Sequence, residues 1–225
     1  MDVLILAAGR GDRLRPITDR TPKPLLEIAG KPLIEHHIER LVAAGHRRLA
    51  INLAHLGEAI EERLGDGSRL GARVSYSREP PGALETGGGI VQALNHIQGD
   101  VFAAVNGDIW TDFPYASLPV EVEGSAWLVL VDNPPQHSQG DFVLTGTKQV
   151  RETDPSAGRA LTFAGIAVYR RSLFEGLAFG RYPLLPILLD AIRRGEVAGT
   201  HYRGIWMDVG TPERLEALRA AVDRG

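Results

Sequence analysis

The sequence predicts a three-layer α/β domain with a mostly parallel central sheet and a small antiparallel flap. Three observations predict it. Residues 3–8, VLILAA, are continuously apolar and bounded by glycine, as a strand buried on both faces requires. Apolar runs of strand length and stretches of helical spacing then alternate to about residue 105, which argues for parallel strands with crossover helices on both faces. From Asp112 onward strand-like runs follow one another with little helix between them. A chain of 225 residues fits one such domain, residues 1–225, and buries roughly 70 to 75% of its unfolded surface.

The elements follow in order. In residues 32–44, Leu33, Ile34, His37, Leu41, Val42 and Ala44 recur near helical spacing behind Pro32 and stop at Gly45, giving the first crossover helix. Residues 49–53 form a strand, 58–64 a helix closed by Gly65, and 73–77 another strand. Residues 79–89 read as a loop ending in three glycines, Gly87 to Gly89, directly before a helix over 90–97. Glycines at a helix start leave free N–H groups and room for a ligand. The buried strand 101–105 delivers Asn106-Gly107-Asp108 at its C-terminal end, where open parallel sheets collect ligands. Strand 126–131 leads to a polar loop, 132–140, and strands 142–144, 149–151 and 161–169 make the flap. A helix over 182–194 ends at Gly195, and strand 197–202 precedes the last helix. That helix runs to about residue 222, with Thr211 as N-cap, Pro212 at the first helical position and Glu213 in the first turn.

Composition removes several function classes. With no cysteine, disulfides, thiol nucleophiles, iron–sulfur clusters and cysteine zinc sites are excluded. No run approaches the ~20 apolar residues of a membrane span and no charged-then-apolar leader opens the chain, so a cytoplasmic protein with no membrane partner is expected. A net charge of −3 without a basic face gives no nucleic-acid partner. The seven histidines lack ligand spacing and are expected to be surface or packing residues. No GxSxG element marks a serine hydrolase.

Positive charge is concentrated behind the first strand. Arg10, Arg13, Arg15, Arg20, Lys23 and Lys31 face only Asp12, Asp19 and Glu27 between residues 10 and 31. Gly9 and Gly11 let the backbone turn there and bring its amides against an anion. A solvated loop would need no such set. Lys23, Lys31 and Lys148 are the only lysines in a chain that otherwise uses arginine, which hints at a place where a compact ammonium serves better than a planar fork. The loop is neither a P-loop, which needs Lys then Ser or Thr after the second glycine, nor a dinucleotide fingerprint, because Leu14 stands where a third glycine belongs.

Leu6-Ala7-Ala8-Gly9-Arg10-Gly11-Asp12-Arg13-Leu14-Arg15-Pro16, with Pro22-Lys23-Pro24-Leu25 behind it, resembles the LAAGxGxRLxPxTxxxPKPL signature of the sugar nucleotidyltransferases. The resemblance implies a Rossmann-like (GT-A-like) fold whose residues 1–110 bind the nucleotide and whose residues 111–225 bind the sugar. It implies transfer of a nucleoside monophosphate from a nucleoside triphosphate to a sugar 1-phosphate, with both as small-molecule partners and Mg²⁺ as cofactor; a monomer is the expected working form, separately from the resemblance. The nucleotide would contact Ala8, Gly9, Gly11, Asp12, Arg13, Lys23, Glu85 and Gly88, with Arg13 and Lys23 catalytic. Asp108, in the family's GD element, and Asp208, in Trp206-Met207-Asp208-Val209-Gly210-Thr211-Pro212, would hold the metal. Asn106, Asp141 and Gly165, the last in an Asn-Ala-Gly-Ile-like element, would contact the sugar. The family's Glu-Lys-Pro is absent, and Val150-Arg151-Glu152-Thr153-Asp154-Pro155 stands in its place. Glu85 in place of the commoner glycine and Gly140-Asp141-Phe142 resemble the branch that uridylylates N-acetylmuramate 1-phosphate in cell-wall recycling. Mannose 1-phosphate guanylyl transfer and glucose 1-phosphate uridylyl or thymidylyl transfer are the alternatives within the class. A non-catalytic nucleotide-sugar-binding subunit is the alternative outside it, and that version would lack Lys23 or a metal carboxylate.

Overall fold

The computed structural model describes residues 1–80, 84–153 and 159–222. In chain order they form β1 (Asp2–Leu6), β2 (Glu27–Ile28), β3 (Lys31–Pro32), α1 (Leu33–Ala43), β4 (Arg48–Leu53), α2 (Gly57–Leu64), β5 (Arg73–Arg78), α3 (Glu85–Ala93), β6 (Val101–Asn106), β7 (Ile109–Thr111), β8 (Ala126–Val131), β9 (Phe142–Leu144), β10 (Val150–Glu152), β11 (Ala160–Arg170), α4 (Leu184–Arg193), β12 (Val197–Tyr202), β13 (Trp206–Asp208) and α5 (Pro212–Val222). β1 is central, paired in parallel with β4 on one side and β6 on the other, as its unbroken apolar run requires. The sheet reads β10-β9-β11-β6-β1-β4-β5, with β8 also on β11 and β12 on β8.

The expected flap is part of this sheet. β11 is 11 residues long and pairs antiparallel with β6, β8 and β9, so the antiparallel strands extend the parallel core without a break. Val3, Ile5, Ile51, Ala103 and Val105 bury one face of the sheet under Ile34, Ile38 and Leu41 of α1. Leu4, Phe102, Ala104 and Ala167 bury the other under Ile90 of α3 and Leu188 and Ile192 of α4. Alternate side chains of each strand thus enter opposite layers.

Two further differences from the sequence reading have physical causes. α3 starts at Glu85 and contains Gly87, Gly88 and Gly89, whereas glycine's low helix propensity places them in a loop. A Cβ on Gly88 would stand 2.3 Å from the Gly180 carbonyl oxygen, and one on Gly87 would stand 2.7 Å from that of Tyr182. Tertiary approach thus overrides propensity. Pro81, Gly82 and Ala83 of that loop, and Asp154 and Pro155 of the later segment, lie outside the described residues. β7 and β13, three residues each, pair antiparallel with Asp208 opposite Ile109, and neither is long enough to show periodicity.

Candidate active site

Two cations and two carboxylates meet where β1, β6 and β13 end. After β1 the loop holds Gly11 at φ +73°, with Thr18 Oγ1 donating to its carbonyl at 2.9 Å. Thr18 is itself buried, and its carbonyl meets His55 Nε2 at 2.9 Å. Among the described residues the backbone amides of Ala8 through Arg13 donate to no protein group. This leaves a run of N–H donors without protein partners, as a site that receives an anion requires. Arg10 and Arg15 are engaged by Asp12 and Asp19, whereas Arg13 forms no ion pair among the described residues. Leu14 anchors the loop from behind, buried with Leu26, Ile28 and Leu33 against Val209, Leu215 and Leu218 near the C-terminus.

Lys23 sits on a short 3-10 turn after Pro22 and is 8% exposed. Its ammonium pairs with Asp108, just beyond the end of β6. The β7–β13 ladder brings Asp208 alongside, and Val209 N donates to the Asp108 carbonyl at 2.8 Å. Asp208 Oδ1 accepts from Arg214 at 3.0 Å and from Gln136 Nε2 at 2.8 Å. Each carboxylate is therefore balanced by its own basic side chain.

Two cavities share Asn106 and Asp108. The first is bounded by Ala8, Gly9, Lys23, Asn52, Glu85 and Thr86, with Glu79 at its floor. Asn52 is buried, accepts from Ala7 N at 2.7 Å and donates to Glu79 at 2.7 Å. The second is bounded by Arg13, Gln136, Gly165, Trp206, Asp208 and Arg214. Gly165, at φ +73°, lies where the β11–β8 register shifts between Phe163 and Ala167, and a Cβ there would stand 2.5 Å from the Asn106 amide nitrogen. That irregularity turns the strand toward Asn106, as bulges beside sites do. His37 lies beneath, bonded to the Ile109 carbonyl at 2.8 Å, and burial lowers its pKa to about 4, so it is neutral at pH 7.

Ala8, Gly9, Lys23, Glu85, Asn106 and Asp108 thus border one cavity, and Arg13, Asn106, Asp108, Gly165 and Asp208 the other. Gly11 and Asp12 contribute loop amides beside them. Two further expected contacts are not on the lining of either cavity. Gly88 is buried and its amide donates to Tyr182 O at 3.1 Å. Asp141 accepts from Phe163 N at 2.8 Å and meets His137 Nε2 at 2.9 Å, two residues of the second cavity's wall. Asn52, Gln136 and Arg214 escape the sequence reading, whereas Glu79 and Thr86 stand in it only as members of the ligand-facing loop 79–89. An asparagine inside the apolar β4, and an arginine in the first turn of α5 where the helix dipole disfavours cations, were the available signals.

The carboxylate pair also fits a divalent cation. Among the described residues no group of three or more His, Cys, Asp and Glu could hold a metal by itself. Two carboxylates leave positions for phosphate oxygens and water, the ligand set a small hard cation takes beside a phosphate substrate.

Residues 2–142 match the sequence profile of the nucleotidyl transferase family. The chain is 46% identical to an N-acetylmuramate alpha-1-phosphate uridylyltransferase of Neisseria meningitidis, over 98% of this chain and 97% of that one. It is 33% identical to a protein of the same name from Caulobacter vibrioides, over 96% and 95%. The solved inositol-1-phosphate CTP transferase of T. maritima superposes with a TM-score of 0.76 at 18% identity, over 100% and 96%, a likeness of fold.

Proposed function

The chain belongs to the nucleotidyl transferase family, and from that premise we propose that it joins UTP and N-acetylmuramate 1-phosphate into UDP-N-acetylmuramate, releasing pyrophosphate, as a step of cell-wall recycling. The observation that carries the reading is the Lys23–Asp108 pair standing at the junction of two cavities, with Asp208 on the wall of the second. The first cavity takes the nucleoside, and its triphosphate extends past Asp108 toward the unpaired loop amides and Arg13, which stands on the wall of the second cavity. The second takes the sugar, and its 1-phosphate enters beside Lys23.

In this reaction an oxygen of the sugar phosphate attacks the α-phosphorus and pyrophosphate leaves in line. A phosphate monoester loses its second proton near pH 6, so the nucleophile is already ionised at pH 7 and needs no strong base. What two polyanions require is alignment and charge neutralisation. Lys23 brings a compact, largely desolvated charge between the α-phosphate and the incoming phosphate. Arg13, exposed and unpaired among the described residues, meets the departing charge. Asp108 and Asp208 would hold Mg²⁺, which supplies positive charge at the α-phosphate when bound.

Pyrophosphate release should be measured with Mg²⁺ across the four nucleoside triphosphates and several sugar 1-phosphates, including those of N-acetylmuramate, N-acetylglucosamine, mannose and glucose. UTP with N-acetylmuramate 1-phosphate is expected to give the highest kcat/KM. A higher value with mannose or glucose 1-phosphate would replace the sugar assignment, and silence in every well would leave a binding protein.

A further inference from the structure

A third cavity opens beside the Asp208 wall. Pro135, Tyr202, Arg203 and Met207 bound it, and it shares Pro134, Gln136, Trp206, Asp208 and Arg214 with the second cavity. The two cavities are therefore adjacent, with Gln136 on the wall of both. Its lining combines apolar groups, the two prolines, Trp206 and Met207, with charged ones, Asp132, Arg203, Asp208 and Arg214.

The charges are unequal in availability. Asp208 is held by Arg214, and Asp132 by Arg159 at 3.2 Å, with His201 Nε2 at 3.4 Å. Arg203 lies on the short connection between β12 and β13, is exposed, and forms no ion pair among the described residues. The cavity thus presents one cation left over for a ligand. Arg214 adds a guanidinium whose Nε is buried without a partner among the described residues.

We propose that this cavity receives the carboxylate-bearing branch of the sugar substrate, and that Arg203 determines selection for it. The inference rests on the reading above, in which the sugar is N-acetylmuramate, an N-acetylglucosamine carrying a lactyl ether at O3. That ether offers a methyl group for the Pro134, Pro135 and Trp206 side and a carboxylate for Arg203. A planar guanidinium grips a carboxylate through two parallel N–H donors. The neutral sugar lacks that partner.

The test is direct binding by calorimetry of UDP-N-acetylmuramate and UDP-N-acetylglucosamine to the full chain and to Arg203→Ala, Arg203→Glu and Arg203→Lys. The wild-type chain should prefer the muramate compound. Arg203→Ala should weaken that compound about tenfold or more, the range of a hydrogen bond to a charged group, and leave the glucosamine compound within twofold. Arg203→Glu should weaken it further, and Arg203→Lys should recover part of the preference. A wild-type preference that survives in Arg203→Ala and Arg203→Glu overturns the role of Arg203 while leaving the substrate assignment standing. A wild-type chain that does not prefer the muramate compound overturns both.

Discussion

Lys23 is a long, flexible side chain held 8% exposed against Asp108 in a chain with only three lysines. Stability alone gives little reason to keep it there, because burying an ammonium costs several kcal/mol and an apolar residue fills such space as well. Lys31, by contrast, is spent on a half-exposed pair with Glu39 at 2.6 Å, the kind worth little. The geometry at Lys23 makes sense if its charge is needed most when phosphates arrive. Lys23→Ala should then lower kcat by about 10² to 10³, the magnitude of one lost charge-stabilising donor, with a small change in Tm. Arg at this position should not restore the rate, since a guanidinium is wider and planar. Steady-state kinetics beside a thermal melt checks this; near-normal turnover in Lys23→Ala would remove the lysine from the chemistry.

α3 shows most clearly how far sequence reasoning reaches and where it stops. β1, β4, β6, β8 and β12 lie within a residue or two of where apolar runs place them, and α1, α2, α4 and α5 end at their glycines or begin at their caps, because such signals are local. The three glycines of α3 were legible as a ligand-proximal feature but not as helix, since what they answer to is the Gly180 and Tyr182 backbone, nearly a hundred residues away. The pairing of β7 with β13 was equally hidden, although the motif resemblance already brought Asp108 and Asp208 to one metal. Glu85 opens α3 at φ +62°, a conformation that favours glycine, the residue that the motif resemblance puts at this position. Two substitutions separate packing from ligand approach. Gly88→Ala puts a methyl 2.3 Å from a carbonyl oxygen and should cost about 1 to 3 kcal/mol, seen as a lower Tm. Gly9→Ala meets nothing within 4 Å and borders the nucleotide cavity. It should leave Tm nearly unchanged and raise the Kd for UTP. Equal melting temperatures for the two variants would contradict this division.

Across the whole molecule the site depends on closure between the two ends of the chain. β6, in the half read as nucleotide-binding, is hydrogen-bonded to β11 in the other half over five registered pairs, from Ile166 with Val105 to Arg170 with Val101. Leu215 and Leu218 of α5 pack on Leu14, which holds the phosphate-facing loop. A fragment of residues 1–110 would expose the edge of β6 and one side of that small core, and an open apolar edge is a poor end for a sheet. The chain should therefore unfold in one calorimetric transition with van't Hoff and calorimetric enthalpies equal, and the fragment should not fold alone. Leu218→Ala tests the same coupling within the intact chain. The side chain is 1% exposed and lines neither the first nor the second cavity, so a loss of about 2 to 5 kcal/mol is expected from the packing. If α5 positions the loop, UTP affinity measured well below the lowered Tm should fall too, because Leu14 loses the surface it rests on. Unchanged affinity in a folded, destabilised Leu218→Ala chain would mean that Thr18 and the backbone of the loop set its shape without help from the C-terminus.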